Sequence, residues 1–358
     1  MKKVLYLTNI EVPYRVRFFN ELAKYCDLTV LYERERSANR NQAWAGSVQR
    51  NFQVKYLKGF KVGNENTFSL EILKEVFSKY DRIIVGCYNS PVQMMAILTM
   101  RLFRIPYILN LDGEPFLSGE GVKKKLKRFF VSGADKYLVA GEKAAESLRD
   151  AIGTDKVIVP YYFSSLTEQE IEEHRQASGK NRNKTILVVG QYYDYKGMDV
   201  ALEAACMDLS LQYKFVGMGN RTELFREEHE IPENIELIPF LQKQELEEAY
   251  KSCAMLVLPS RQECWGLVVN EAASFGMPIV STWGSGAAVE FLAEKYPQNL
   301  AEPGNMQSLY ECIVREKQIQ ENMEYRQYML EKSRQYSIEE NVRRHIQAMQ
   351  LLSATEKE

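Results

Sequence analysis

Histidine is scarce in this chain: His174, His229 and His345 are the only three, each in a charged, helix-like stretch. A serine–histidine triad or a multi-histidine metal site has almost nothing to be built from. The six cysteines, Cys26, Cys87, Cys206, Cys253, Cys264 and Cys312, are scattered with no C-x-x-C pair. That spacing argues against zinc and against a disulfide framework, and most read as small buried hydrophobes. No apolar run approaches the ~18 residues of a membrane-spanning helix. Neither charge sign dominates: 46 Lys and Arg stand against 48 Asp and Glu, a net charge of -2, which gives no overall attraction to nucleic acid. There is no G-x-G-x-x-G, and the first strand leads into "TNIEVPYR" without a glycine, so a dinucleotide-binding dehydrogenase is disfavoured. The opening "MKKVLYLTNIEVPY" lacks a small-residue cleavage site and reads as a first buried strand of a cytoplasmic protein.

What is present is alternation. The stretches "KVLYLTN", "DLTVLYE", "DRIIVGCY", "IPYILNLDG", "DKYLVAG" and "DKVIVP" read as strands, with amphipathic stretches between them. Such βα units imply a parallel sheet buried on both faces. The polar segment 164–184 interrupts the pattern and reads as a connection between domains that could be helical in part. Alternation then restarts with "TILVVGQ", "LQYKFVGMG", "IELIPF", "AMLVLPS" and "MPIVST". With 358 residues, 45% hydrophobic, two α/β domains are expected: 1–165, 166–335, and a C-terminal helix and tail over 336–358. Ligands in such sheets sit at the carboxyl ends of the strands, so two halves facing each other would enclose a deep cleft.

One strand-turn-helix segment, "PSRQECWGLVVNEAASFGMPIVST" (259–282), holds two carboxylates eight positions apart, Glu263 and Glu271. The pattern predicts a helix from about Gly266 to Phe275, with Glu271 sharing a face with Leu267, Val268 and Phe275 and interrupting the stripe that packs on the sheet. Glu271 is then either a salt-bridged carboxylate or an acceptor for ligand hydroxyls. Ser260 and Glu263 could form a capping box, but Trp265 and Gly266 place the helix start later, leaving Glu263 in the strand-end loop. The helix N-terminus there offers N–H donors to an anion. Eight helical residues span ~12 Å, about the reach of a nucleotide sugar.

This segment resembles the E-x7-E signature of glycosyltransferase family 4, with Pro259, Ser260, Glu263, Gly266, Glu271, Ala272, Gly276 and Pro278 in register. "VVGQYYDYKGMDVALEA" (188–204) is similar to the family's G-R-x(n)-K-G stretch, "KFVGMGN" (214–220) to its G-x-G, and "GSGAAVEFL" (284–292) to its G-G-x-x-E. The resemblance implies a GT-B fold of two Rossmann-like parallel-sheet domains, with the C-terminal helix crossing back to the first. It also implies a retaining hexosyltransferase acting on a UDP- or GDP-type nucleotide sugar, with a glycan or lipid-linked acceptor and a role in bacterial surface polysaccharide synthesis.

The same resemblance assigns donor contacts to Gly190, Gln191, Lys196, Gly217, Glu263, Gly266, Leu267 and Glu271. Gln191 departs from the family's Arg and lacks its charge and fork. The sequence contains no D-x-D and no cofactor signature, so no metal or cofactor is expected, and Lys196 with the helix N-terminus would neutralise the leaving group. Asp112 and Glu114, at the end of "YILNLDGEPF", are candidates for acceptor activation beside Glu263 and Lys196, or a plain Asp-Gly turn. Tyr14, Arg15 and Arg17 are acceptor candidates by position. The basic cluster 121–130 reads as a surface for anionic lipid at the cytoplasmic face of a membrane, or as a solvated helix face. A nucleotide-sugar epimerase and a degenerate binding or scaffold subunit are the competing readings.

Overall fold

The computed structural model describes the chain except residues 35–48, 63–65, 114–120, 154–155, 179–181, 320–322 and 351–358. The chain divides into two compact units, one formed by residues 1–162 with those from 338 onward, the other by 163–337.

The first unit runs β1 (Lys3–Ile10), α1 (Pro13–Leu22), β2 (Asp27–Arg34), β3 (Gln53–Tyr56), β4 (Phe60–Val62), β5 (Asn66–Phe68), α2 (Glu71–Val76), β6 (Arg82–Val85), α3 (Pro91–Leu102), β7 (Ile108–Leu111), α4 (Gly121–Val131), β8 (Lys136–Ala140), α5 (Glu142–Ile152) and β9 (Val157–Tyr161). Its main sheet has the order β3-β2-β1-β6-β7-β8-β9 with every pair parallel, while β4 and β5 form a separate antiparallel pair. Central strands of such a sheet are covered on both faces, which is why Val4 to Leu7 are all buried rather than alternating. Crossover helices start where the sequence stops them fraying. Ser90 caps α3 by accepting from the Gln93 N–H at 3.3 Å, with Pro91 at the first helical position.

The second unit runs α6 (Glu168–Ala177), β10 (Thr185–Val189), α7 (Met198–Cys206), β11 (Gln212–Val216), α8 (Thr222–Glu228), β12 (Ile235–Ile238), α9 (Lys243–Ser252), β13 (Met255–Val257), α10 (Leu267–Ser274), β14 (Ile279–Thr282), α11 (Gly286–Leu292), β15 (Leu300–Ala301), α12 (Met306–Ile319) and α13 (Met323–Arg334). Its six strands, all parallel, take the order β12-β11-β10-β13-β14-β15. Strand order reverses between β10 and β13, and a crevice at the carboxyl ends of that pair is the place this topology offers a ligand. The fold is therefore two Rossmann-like α/β domains. The last helix, α14 (Ile338–Met349), belongs to the first unit, where it packs on α1 and β9.

The segment 164–184 is not a bare connection. Thr167 and Glu170 form a capping box that starts α6, and the helix docks on the second unit. Its His174 ring stacks on Phe275 at 4.0 Å and hydrogen-bonds the Ser274 hydroxyl at 2.8 Å. The stretch looked like a linker because only Ile171 and His174 of α6 are buried.

Candidate active site

Two loops meet at the reversal point of the second sheet. One leaves β10 through Gly190 and Gln191 and ends in a 3-10 turn, Asp194–Lys196. The other leaves β13 through Pro259 and Ser260 toward Glu263. Gly197 joins them: it adopts φ 67°, and a Cβ there would lie 2.1 Å from the Pro259 carbonyl oxygen. Only glycine fits both that conformation and that approach. The consequence is an ion pair between the Lys196 ammonium and the Glu263 carboxylate, both side chains less than one-fifth exposed.

The Glu263 loop is pinned from outside α10. Its N–H donates to the Gly284 carbonyl at 2.8 Å, and the Gly286 N–H donates to its carbonyl at 3.1 Å. Trp265 folds beneath, its indole N–H donating to Asn270 at 2.9 Å, and Asn270 in turn donates to the Phe163 carbonyl at 3.1 Å. Gly266, at φ 101°, then turns the chain into α10, whose first residue is Leu267. The helix thus begins after Glu263, as Trp265 and Gly266 suggested, and no side chain caps its N-terminus. On the neighbouring strand end, Gly190 donates its N–H to the Val216 carbonyl at 2.9 Å, and Gly217, at φ 100°, lies against the Gly190 backbone.

Glu271 occupies a different face from the one expected. Val269, Asn270, Ala272 and Ala273 form the buried side of α10, whereas Leu267, Val268 and Glu271 are half-buried. Glu271 shares its face with Leu267 and Val268 but does not interrupt the sheet-facing stripe. Among the described residues it has no salt-bridge partner, and its carboxylate accepts from Ser165 at 2.8 Å and Tyr250 at 3.0 Å. Burial pushes this carboxyl above the usual range, and the two hydroxyls oppose that rise.

Residues that spacing did not reveal complete the surroundings. Arg261 donates to both Asp199 oxygens at 2.8 and 2.6 Å; burial would raise the Asp199 carboxyl, but Arg261 holds it below the usual range. Arg221 donates to the Tyr192 carbonyl at 2.5 Å and lies over the Tyr193 ring at 4.3 Å. It therefore brings a guanidinium to the loop where Gln191 supplies none. A cation two residues past the G-x-G of "FVGMGN" was its available signal. Tyr250 and Ser165 lie 21 and 106 positions from Glu271 and left no local signal.

In the first unit, Asp112 and Arg15 are brought together. The Arg15 guanidinium donates to Asp112 at 2.6 Å and to the Thr8 hydroxyl at 2.7 Å. The other Asp112 oxygen accepts from Asn110 at 2.8 Å and Tyr161 at 2.9 Å. Burial alone would lower the Arg15 guanidinium, but Asp112 together with Tyr14, Tyr6 and Tyr161 more than offsets it, holding it well above its usual value. Tyr14 and Arg17 are half-buried on α1. Glu114 lies outside the described residues. Among the described residues, no group of three or more His, Cys, Asp or Glu is placed to hold a metal ion.

With this geometry in place, residues 170–336 match the sequence model of the glycosyl transferases group 1 family. The second unit is similar to a group 1 glycosyl transferase domain. An uncharacterized glycosyltransferase of Methanocaldococcus jannaschii is 25% identical over 270 residues, covering 71% of this chain and 70% of that one. Two solved structures share the fold. Anabaena HepE in complex with UDP-glucose has a TM-score of 0.69 and 15% identity, covering 98% of this chain and 100% of that one. Sucrose-phosphate synthase from Thermosynechococcus elongatus has a TM-score of 0.68 and 15% identity, covering 97% and 98%.

Proposed function

We propose that the protein is a glycosyltransferase that moves a hexose from a UDP- or GDP-type nucleotide sugar to a glycan or lipid-linked acceptor, with retention at the anomeric carbon. The observation that carries this reading is the pairing of Lys196 with Glu263 at the carboxyl ends of β10 and β13, with Glu271 one helix further on. Lys196, Arg221 and the N–H groups that open α10 suit a diphosphate. Glu271, already an acceptor for two hydroxyls, suits a ribose. Glu263 positions the donor sugar, and attack comes on the face that the leaving group vacates. Gln191 contacts the phosphate as a neutral donor. In the first unit, Tyr14 and Arg17 serve the acceptor, while Arg15 holds Asp112 in place for its activation. The family match over 170–336 supports the chemistry, and HepE, solved with UDP-glucose, supports a UDP-type donor. A role in bacterial surface polysaccharide synthesis follows from that acceptor class.

The test is a thermal-shift screen against UDP-, GDP- and ADP-sugars, followed by product analysis with and without acceptor. One nucleotide sugar should raise the melting temperature, and its sugar should be transferred in EDTA. Donor alone should show only slow hydrolysis. An altered sugar in the absence of acceptor, or activity lost in EDTA and restored by Mg²⁺, would overturn the reading.

A further inference from the structure

The first unit carries apolar surface that its own fold leaves uncovered. On α4, Val122, Leu126 and Phe129 follow one another at helical spacing and are 80%, 51% and 41% exposed. The patch continues onto the neighbouring helices. Arg101 of α3 donates to the Phe129 carbonyl and lies over the Phe129 ring at 3.9 Å. Next to Arg101, Leu102 is 77% exposed, and the ring of exposed Phe103 meets that of exposed Phe77, just past α2, edge-on at 4.9 Å. The ends of three helices thus form one apolar area of a kind that monomers seldom leave bare.

Its surroundings are mostly basic, although α2 also carries Glu71 and Glu75. Five Lys or Arg fall within 123–128, with Lys124, Lys125 and Arg128 exposed, and neither α3 nor α4 contains an Asp or Glu. The chain as a whole is at -2, so this is a local concentration. Lysine is depleted from protein–protein interface cores, whereas a lysine-flanked stripe of Leu and Phe is the composition that settles into an anionic lipid interface. We infer that α4, with the ends of α2 and α3, docks the protein onto an anionic bilayer, the aromatic and aliphatic side chains entering the headgroup boundary and the lysines meeting lipid phosphates. Among the described residues no helix is long and apolar enough to cross a membrane, so this contact lies on the surface. It does not depend on the transferase reading.

The test is co-sedimentation of the full chain with vesicles of phosphatidylcholine alone or with phosphatidylglycerol added. Binding is expected only to the anionic vesicles, with release at high salt. Lys124→Ala together with Lys125→Ala should weaken partitioning about thirtyfold, since each basic residue near such a surface contributes roughly fivefold. Leu126→Glu with Phe129→Glu should abolish it, with circular dichroism checking the fold; the lysine pair, fully on the surface, keeps the test valid should that variant misfold. Equal binding to neutral vesicles, no binding to either, or wild-type binding by the lysine variant would overturn the proposal. So would a concentration-dependent dimer that Leu126→Glu returns to monomer, because the face would then join two copies of this chain.

Discussion

Lys196 and Glu263, 67 positions apart, form an ion pair at the point where strand order reverses in the second sheet. Each side chain keeps the other's charge compensated in a mostly buried setting, and an entering diphosphate would compete with Glu263 for the same ammonium. Charge on that diphosphate grows in the transition state, so Lys196→Ala should lower kcat by about 10²–10³ while changing KM much less. Melting curves should also show coupling: Lys196→Met and Glu263→Gln each destabilise, and the double variant loses less than their sum by roughly 0.5–3 kcal/mol.

Gly197 has no substitute. Its positive φ and the nearby Pro259 carbonyl oppose any Cβ. Gly197→Ala should lower stability by about 1–3 kcal/mol from backbone strain alone and displace Lys196. Thermal unfolding measures the first effect and steady-state kinetics the second. A variant unchanged in both would show that the two loops can part without cost.

The two glutamates should separate by role. Glu271→Ala removes an acceptor fixed by Ser165 and Tyr250, and nucleotide affinity should fall about tenfold to a hundredfold, as for loss of a charged hydrogen bond. Glu263→Ala should leave nucleotide affinity nearer normal and reduce turnover. Calorimetry with the free nucleotide, beside kcat for each variant, decides between this pattern and its reverse.

His345 gives the first unit an acid limit. Its ring is buried against Phe18 and Tyr161, and burial lowers its pKa from 6.5 to about 4. The unfolded chain takes up a proton below pH 6.5 that the folded chain refuses until about 4. Stability from this group is therefore complete above pH 6.5 and is lost as pH falls through that window, by about 3 kcal/mol in all. The stability difference between wild type and His345→Gln, measured across that range, should shift by this amount in favour of the variant as pH falls.

Glu316 works in the opposite direction in the second unit. Burial raises its carboxyl from 4.5 to about 7, opposed by Asn299, whose amide donates at 2.6 Å. The folded state holds this proton longer than the unfolded one, so the contribution of this group to stability is greatest below pH 4.5 and falls as pH rises to about 7. Glu316→Gln should remove that decline and raise stability at neutral pH, by about 3 kcal/mol at most. Denaturant midpoints at pH 5 and pH 8 on both proteins provide the measurement.

The strands other than β3, β4, β5 and β15, their parallel arrangement and the position of α10 could be read along the chain, because each depends on neighbours within a few residues: continuous apolar runs, Trp265 and Gly266 before the helix, Gly276 after it. Glu263 and Glu271 stood out for the same reason. Tertiary structure alone decided which groups face them. Lys196 reaches Glu263 because β10 and β13 pair; Tyr250 and Ser165 reach Glu271 because α9 and the start of the second unit pack against α10. Arg15 meets Asp112 across 97 positions because β1 and β7 lie in one sheet. The helix within 164–184 exposes most of itself and so carries only a weak apolar signal, and local periodicity misplaced the buried face of α10. Spacing along a helix says which residues share a face, but the sheet and its neighbours determine which face is covered.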